Sequence, residues 1–217
     1  MTHIAVIDYG MGNLHSVAKA LEHAANGSDI KNVKISVCND AQTIKSADKV
    51  LLPGVGAMRD CMGEMQRLEL IELIKDASLN KPFLGICIGM QALMTNSQEN
   101  NGVDCLDIIP GTVEHFSQEM NETGEHLKIP HMGWNQVTQQ IEHVMWQNIT
   151  QDQRFYFVHS YYVQTKKPDP IAASTIYGKT FTVALSQDNI FAVQFHPEKS
   201  AAAGLQFFSN FIQWDGN

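Results

Sequence analysis

The stretch FLGICIGMQALM, residues 83–94, decides how the chain is read. Phe83-Leu84-Gly85-Ile86-Cys87 is a short apolar run of the kind that forms a buried strand, and from Gly89 onward the residues suit a helix. Cys87 falls at the junction, between Gly85 and Gly89. A sharp strand-to-helix turn strains the dihedrals of its central residue, and flanking side chains would collide with nearby backbone, hence glycine on both sides. Such a turn lifts the sulfur to the carboxyl end of a sheet, where the N–H groups of the following helix favour a thiolate. The N–H of Ile88 would also face an oxyanion formed on a substrate carbonyl. Taken alone, the pattern leaves two readings open: a cysteine packed as a small hydrophobe, or a nucleophile.

Outward from this junction, strands and helices alternate. HIAVID (3–8) is a strand that runs into turn chemistry at Tyr9 to Asn13, and NLHSVAKALEHA (13–24) has helical spacing with Asn13 as its N-cap. VKISVC (33–38) and KVLLPGVG (49–56) are further strands, and MRDCMGEMQRLELIELIKDA (58–77) is helical, in two pieces around Gly63. Alternation of this kind implies βαβ units and a mainly parallel sheet. Beyond residue 110 the pattern changes to strand-like runs: GTVEHF, RFYFVHSYYV, AASTIY, TFTVAL and IFAVQF, closed by a last helix, AAAGLQFFSNFIQW. With no internal repeat, low-complexity tract or linker, residues 1–217 read as a single α/β domain whose mixed, mainly parallel central sheet is flanked by helices.

Composition excludes several classes. With 217 residues, 44% hydrophobic and 18% charged, the chain is globular rather than disordered. A net charge of −8 argues against nucleic acid, and no apolar run approaches a membrane span. The four cysteines stand apart, and the amino terminus lacks a signal-peptide core, so a cytoplasmic protein is expected. Gly10-x-Gly12 begins like a dinucleotide fingerprint, but His15 occupies the third glycine position. The nine histidines show no zinc spacing, and neither a metal nor a cofactor is expected.

AVQFHPEKS (192–200) supplies what a nucleophilic cysteine needs. Pro197 biases His196 to an extended conformation, where residues two apart point the same way, so Glu198 can orient the His196 imidazole. Nucleophile, base and orienting acid are then all present. In LLPGVG (51–56), Gly54 and Gly56 leave N–H groups open to a substrate, unless the stretch is only a strand end with a tight turn. Gln91 shares a helical face with Cys87 as a pocket-lining or a solvated amide.

On these residues the sequence resembles the class I (triad) glutamine amidotransferases, through GICIGMQ and QFHPEKS. Within them DYGMGNLHSV, LLPGVGAM, IPHMGWN, FYFVHSYY and the lysine after H-P-E resemble the branch that serves as glutaminase subunit of imidazole glycerol phosphate synthases. The resemblance implies a flavodoxin-like class I amidotransferase fold and hydrolysis of L-glutamine to glutamate and ammonia through a cysteine thioester. Cys87 would be nucleophile, His196 base and acid, and Glu198 the orienting carboxylate. Gly54, Val55, Gly56 and Ile88 would form the oxyanion site, after one peptide of the 53–56 strand flips, and Gln91, Ser160 and Tyr161 would hold the substrate. The family also implies a heterodimer with a (β/α)8-barrel cyclase of histidine biosynthesis that receives the ammonia, faced by Asn13, Trp134, Tyr156 and Lys199. His15 and Asp107 depart from the family, standing where arginine and glycine are common, and 117–127 matches poorly.

Overall fold

A computed structural model describes residues 1–27, 32–117 and 127–217. Most of the poorly matching 117–127 segment lies outside the described residues. Five parallel strands form the half of the sheet that matters most. β1 (Thr2–Ile7) lies between β2 (Val33–Cys38) and β3 (Lys49–Leu52), and β3 pairs with β4 (Phe83–Ile86). β4 then pairs with β13 (Ile190–Val193), which arrives from the far end of the chain. The order β2-β1-β3-β4-β13 is flavodoxin-like, and in such sheets ligands sit outside the carboxyl ends of the strands. β3, β4 and β13 are buried at every position, which is why, apart from Lys49 at the start of β3, each reads as a continuous apolar run rather than an alternating one.

Helices cover this half. α1 (Leu14–Asn26) buries the stripe Val17, Leu21 and Ala24 and packs on α6 (Ala201–Gln213), while α2 (Ala41–Ser46) packs on α4 (Ile71–Asn80). Among the described residues no helix is long and apolar enough to cross a membrane.

The other half is mostly antiparallel. β12 (Lys179–Gln187) pairs with β13, followed by β10 (Tyr161–Thr165), β7 (Gly111–His115), β5 (Asn96–Ser97) and β6 (Val103–Asp104). β11 (Ile171–Tyr177) joins β12 to β8 (His131–Gln139), and β8 carries β9 (Gln153–His159).

Several expectations need correction. The 58–77 segment does break in two, but not at Gly63, which lies within α3 (Met58–Arg67). The break falls where Glu69 takes φ +57° and the Leu70 N–H donates to the Met65 carbonyl. The run 154–163 is two strands, because the chain turns at Ser160 and leaves β9 on β8 but β10 between β7 and β12. Residues 131–139 form a strand that periodicity did not reveal. Asn13 makes no side-chain cap; its carbonyl accepts from the Val17 N–H, and its side chain is exposed. Asp107 has φ +53°, which explains why glycine suits that position.

Candidate active site

Two parallel strands bring the distant motifs together. Ile86 is paired with Val193, and the Cys87 N–H donates to the Val193 carbonyl at 2.8 Å. Cys87 is therefore level with Gln194, with His196 just beyond it at the same edge of the sheet. Cys87 has φ 54° and ψ −107°, the strained turn that its flanking glycines predict. A Cβ on Gly89 would lie 1.9 Å from the Leu52 carbonyl oxygen, and one on Gly85 would lie 2.9 Å from that of Gly89. The following helix, α5 (Ile88–Gln91), is only one turn long. The N–H groups of Met90 and Gln91 close back on the Cys87 carbonyl, so the helix field expected at the sulfur is reduced to that of a single turn.

His196 is extended, with φ −104° and ψ 96°, but residues 197–199 curl into a 3-10 turn rather than continuing the strand. It is this turn that returns Glu198 to the imidazole, with Nδ1 of His196 2.8 Å from Oε1 of Glu198 and both side chains buried. The imidazole Nε2 is buried and makes no well-formed hydrogen bond. Burial alone would push the imidazole down; Cys87 and Glu198 together outweigh it and raise His196 to about 10. The imidazole thus has Cys87 and Glu198 as its two electrostatic partners.

A cavity of about 310 Å³ opens beside the sulfur. Its lining contains Val55, Gly56, Cys87, Ile88, Gln91, Ser160, Tyr161 and His196, all candidates from the sequence. Gly54 is a correction. It is buried outside the lining, and its carbonyl, rather than its N–H, faces Ile88, whose N–H donates to it at 3.4 Å. Tyr9 lies beneath the same segment, donating its hydroxyl to the Pro53 carbonyl at 2.8 Å. A Cβ on Gly54 would come within 2.3 Å of that hydroxyl oxygen.

A cysteine elbow beside a His–Glu pair suits acyl transfer through a thioester, and comparison with known proteins narrows the class. The family model for class I glutamine amidotransferases matches residues 5–214. The chain belongs to that family. It is 54% identical over 216 residues to imidazole glycerol phosphate synthase subunit HisH 1 of Pseudomonas aeruginosa, covering 100% of this chain and 99% of the relative. It is 55% identical to subunit HisH of Acinetobacter baylyi, covering 99% of this chain and all of the relative. Solved glutamine amidotransferases share the fold: one matches with TM-score 0.70 at 13% identity, covering 97% of this chain and 99% of the other. Another, from Thermotoga maritima, matches with TM-score 0.58 at 15% identity, covering 97% and 82%.

This amidotransferase site holds residues that the sequence did not single out. Glu99, Pro130, Val158 and His159 line the cavity, and Gln194 lies behind Cys87. His159 ends a buried relay. Its Nδ1 donates to the Tyr161 carbonyl at 2.7 Å, so its Nε2 accepts from Nδ1 of His131 at 2.9 Å, and Nε2 of His131 accepts from Asn135 at 3.2 Å. Burial lowers His131 to about 4 and His159 to about 3, consistent with two neutral rings. No periodicity marks these histidines, since their partners are set by strand pairing. Gln194 was detectable in principle, because it precedes His196 by two residues in an apolar strand where a polar side chain needs a partner.

Among the remaining candidates, Trp134 and Tyr156 meet edge to face with centroids 6.2 Å apart, and the Lys199 ammonium lies 5.7 Å from the Tyr156 ring. Asn13 is exposed and joins none of these ring contacts.

Proposed function

We propose that the chain, over residues 1–217, is the glutaminase subunit of an imidazole glycerol phosphate synthase, hydrolysing L-glutamine and delivering ammonia to a cyclase of histidine biosynthesis. The observation that carries this reading is the Cys87 elbow beside the buried His196–Glu198 pair, at a cavity of about 310 Å³. Names of relatives covering the whole chain support the same assignment.

In the mechanism, Cys87 as thiolate adds to the side-chain amide carbon of glutamine while His196 holds the proton. The tetrahedral intermediate collapses as His196 gives that proton to the departing nitrogen, releasing ammonia and leaving a γ-glutamyl thioester. Water, deprotonated by His196, then displaces the sulfur and yields glutamate. Glu198 holds the imidazole by Nδ1 and stabilises its charged form. Gln91, Ser160 and Tyr161 surround the amino-acid end; the buried Oε1 of Gln91 lacks a partner and would accept from the α-ammonium, beside the Glu99 carboxylate. For the oxyanion, the Gly54–Val55 peptide turns over, withdrawing the Gly54 carbonyl from Ile88 and presenting the Val55 N–H.

The partner is a (β/α)8-barrel cyclase forming a heterodimer, docking on Trp134, Tyr156, Lys199 and Asn13. Four free cysteines fit a reducing, cytoplasmic setting. The decisive experiment is Cys87→Ala in complex with the cyclase. Glutamine-driven synthesis should vanish while ammonium-driven synthesis persists; glutamine-driven synthesis by the variant would refute the assignment.

A further inference from the structure

Gln194 is wholly buried and lies outside the cavity lining. Its role follows from the atoms around it. The Tyr161 carbonyl can only accept, and it accepts from Nε2 of Gln91 at 3.1 Å and from Nδ1 of His159 at 2.7 Å. This fixes the Gln91 amide with its NH2 group toward Tyr161. The same NH2 group donates to Oε1 of Gln194 at 2.9 Å, so the second amide is fixed in turn. Its own NH2 group must then face Cys87, and Nε2 lies 3.6 Å from Sγ. One backbone carbonyl thus sets the orientation of two amides in series.

We propose that Gln194 is a positioning residue with two ends, its N–H donating to the sulfur of Cys87 and its oxygen turning the Gln91 amide so that Oε1 is left for substrate. The proposal rests on Cys87 being the nucleophile and Gln91 holding glutamine. A donor aimed at sulfur supports negative charge there, since a thiolate accepts such a bond far better than a neutral thiol. The oxygen end explains why Gln91 Oε1 is buried without a partner while both hydrogens of that amide are used. The two functions sit on opposite ends of one side chain and can be separated.

Two variants test this in the chain–cyclase complex. Gln194→Met removes both ends; Gln194→Glu keeps an acceptor for Gln91 but removes the donor. Iodoacetamide, which needs no glutamine site, reports on Cys87, while the KM for glutamine reports on Gln91. For Gln194→Met, alkylation of Cys87 at neutral pH should slow roughly tenfold and KM rise roughly tenfold, the size of one hydrogen bond to a charged group. For Gln194→Glu, alkylation should slow at least as much while KM stays within about threefold. Alkylation at the wild-type rate in either variant that retains its circular dichroism overturns the sulfur role, and unchanged KM in Gln194→Met overturns the Gln91 role. If wild-type Cys87 alkylates but the complex hydrolyses no glutamine, the functional assignment fails while the contact to sulfur stands.

Discussion

The backbone N–H of Ile88 donates to the carbonyl of Gly54 across 3.4 Å, so the donor next to Cys87 is already occupied by the chain's own backbone. A carbonyl in this place repels an oxyanion rather than stabilising it. In the proposed mechanism, Cys87, His196 and Glu198 stand ready while the oxyanion site does not.

On the proposed assignment, glutamine hydrolysis by the chain alone should therefore be slow, and rise when the cyclase is added. One oxyanion donor is worth about 10²–10³ in kcat, which sets the expected increase. Steady-state glutamate release with and without the partner measures it. Equal rates would mean that the Gly54–Val55 peptide need not move.

Glu198→Gln keeps the shape of the residue that holds Nδ1 of His196 at 2.8 Å but removes its charge. By analogy with hydrolytic triads, kcat should fall by about 10²–10⁴ with little change in KM. Glutaminase kinetics in the complex are the check, and a loss confined to KM would assign Glu198 to substrate binding instead.

Two glycines should respond oppositely to alanine. At Gly89 a Cβ would sit 1.9 Å from the Leu52 carbonyl, a backbone clash that should cost about 3 kcal/mol or more of stability. At Gly63, exposed inside α3, a Cβ meets nothing within 4 Å, so Gly63→Ala should stabilise by roughly 0.5–1 kcal/mol. Urea unfolding of both variants decides the matter.

Acid should weaken the fold through the histidine relay. His131 and His159 are lowered to about 4 and about 3 by burial, whereas unfolded histidine titrates near 6.5. As pH falls from 6.5 toward 4, the unfolded chain takes up protons that the folded chain refuses, and stability declines. His159→Gln should flatten that dependence by about one proton, or ~1.4 kcal/mol per pH unit. His196, raised to about 10, acts in the other direction: its contribution is complete below about 6.5 and fades as pH rises toward 10. Denaturant titrations across pH would show an unaltered acid slope if His159 were already charged in the fold.

What was legible in the sequence was whatever local chemistry encodes. Gly85 and Gly89 announced the elbow because only glycine tolerates the backbone approach measured there. His196 and Glu198 were legible as a pair because they are two residues apart, although a 3-10 turn rather than an extended strand brings them together. Contacts made by long-range pairing left no such trace. His131 meets His159 only because β8 and β9 pair in that register, and Gln194 meets Cys87 only because β13 lies beside β4. That Gly54 turns its carbonyl rather than its N–H toward Ile88 was hidden for a related reason, since a glycine permits either orientation of its peptide and only the fold selects one.

The adjacency of β4 and β13 also bears on how the chain comes into being. Cys87 and Gln194 are separated by 107 residues, and the strand that carries His196 to the site is the last of the sheet. During synthesis Cys87 emerges long before His196, so on the proposed roles a nascent or truncated chain holds a thiol without its base. Under the proposed mechanism, hydrolysis can begin only once β13 has paired with β4, so glutamine is spared by protein that has yet to finish folding.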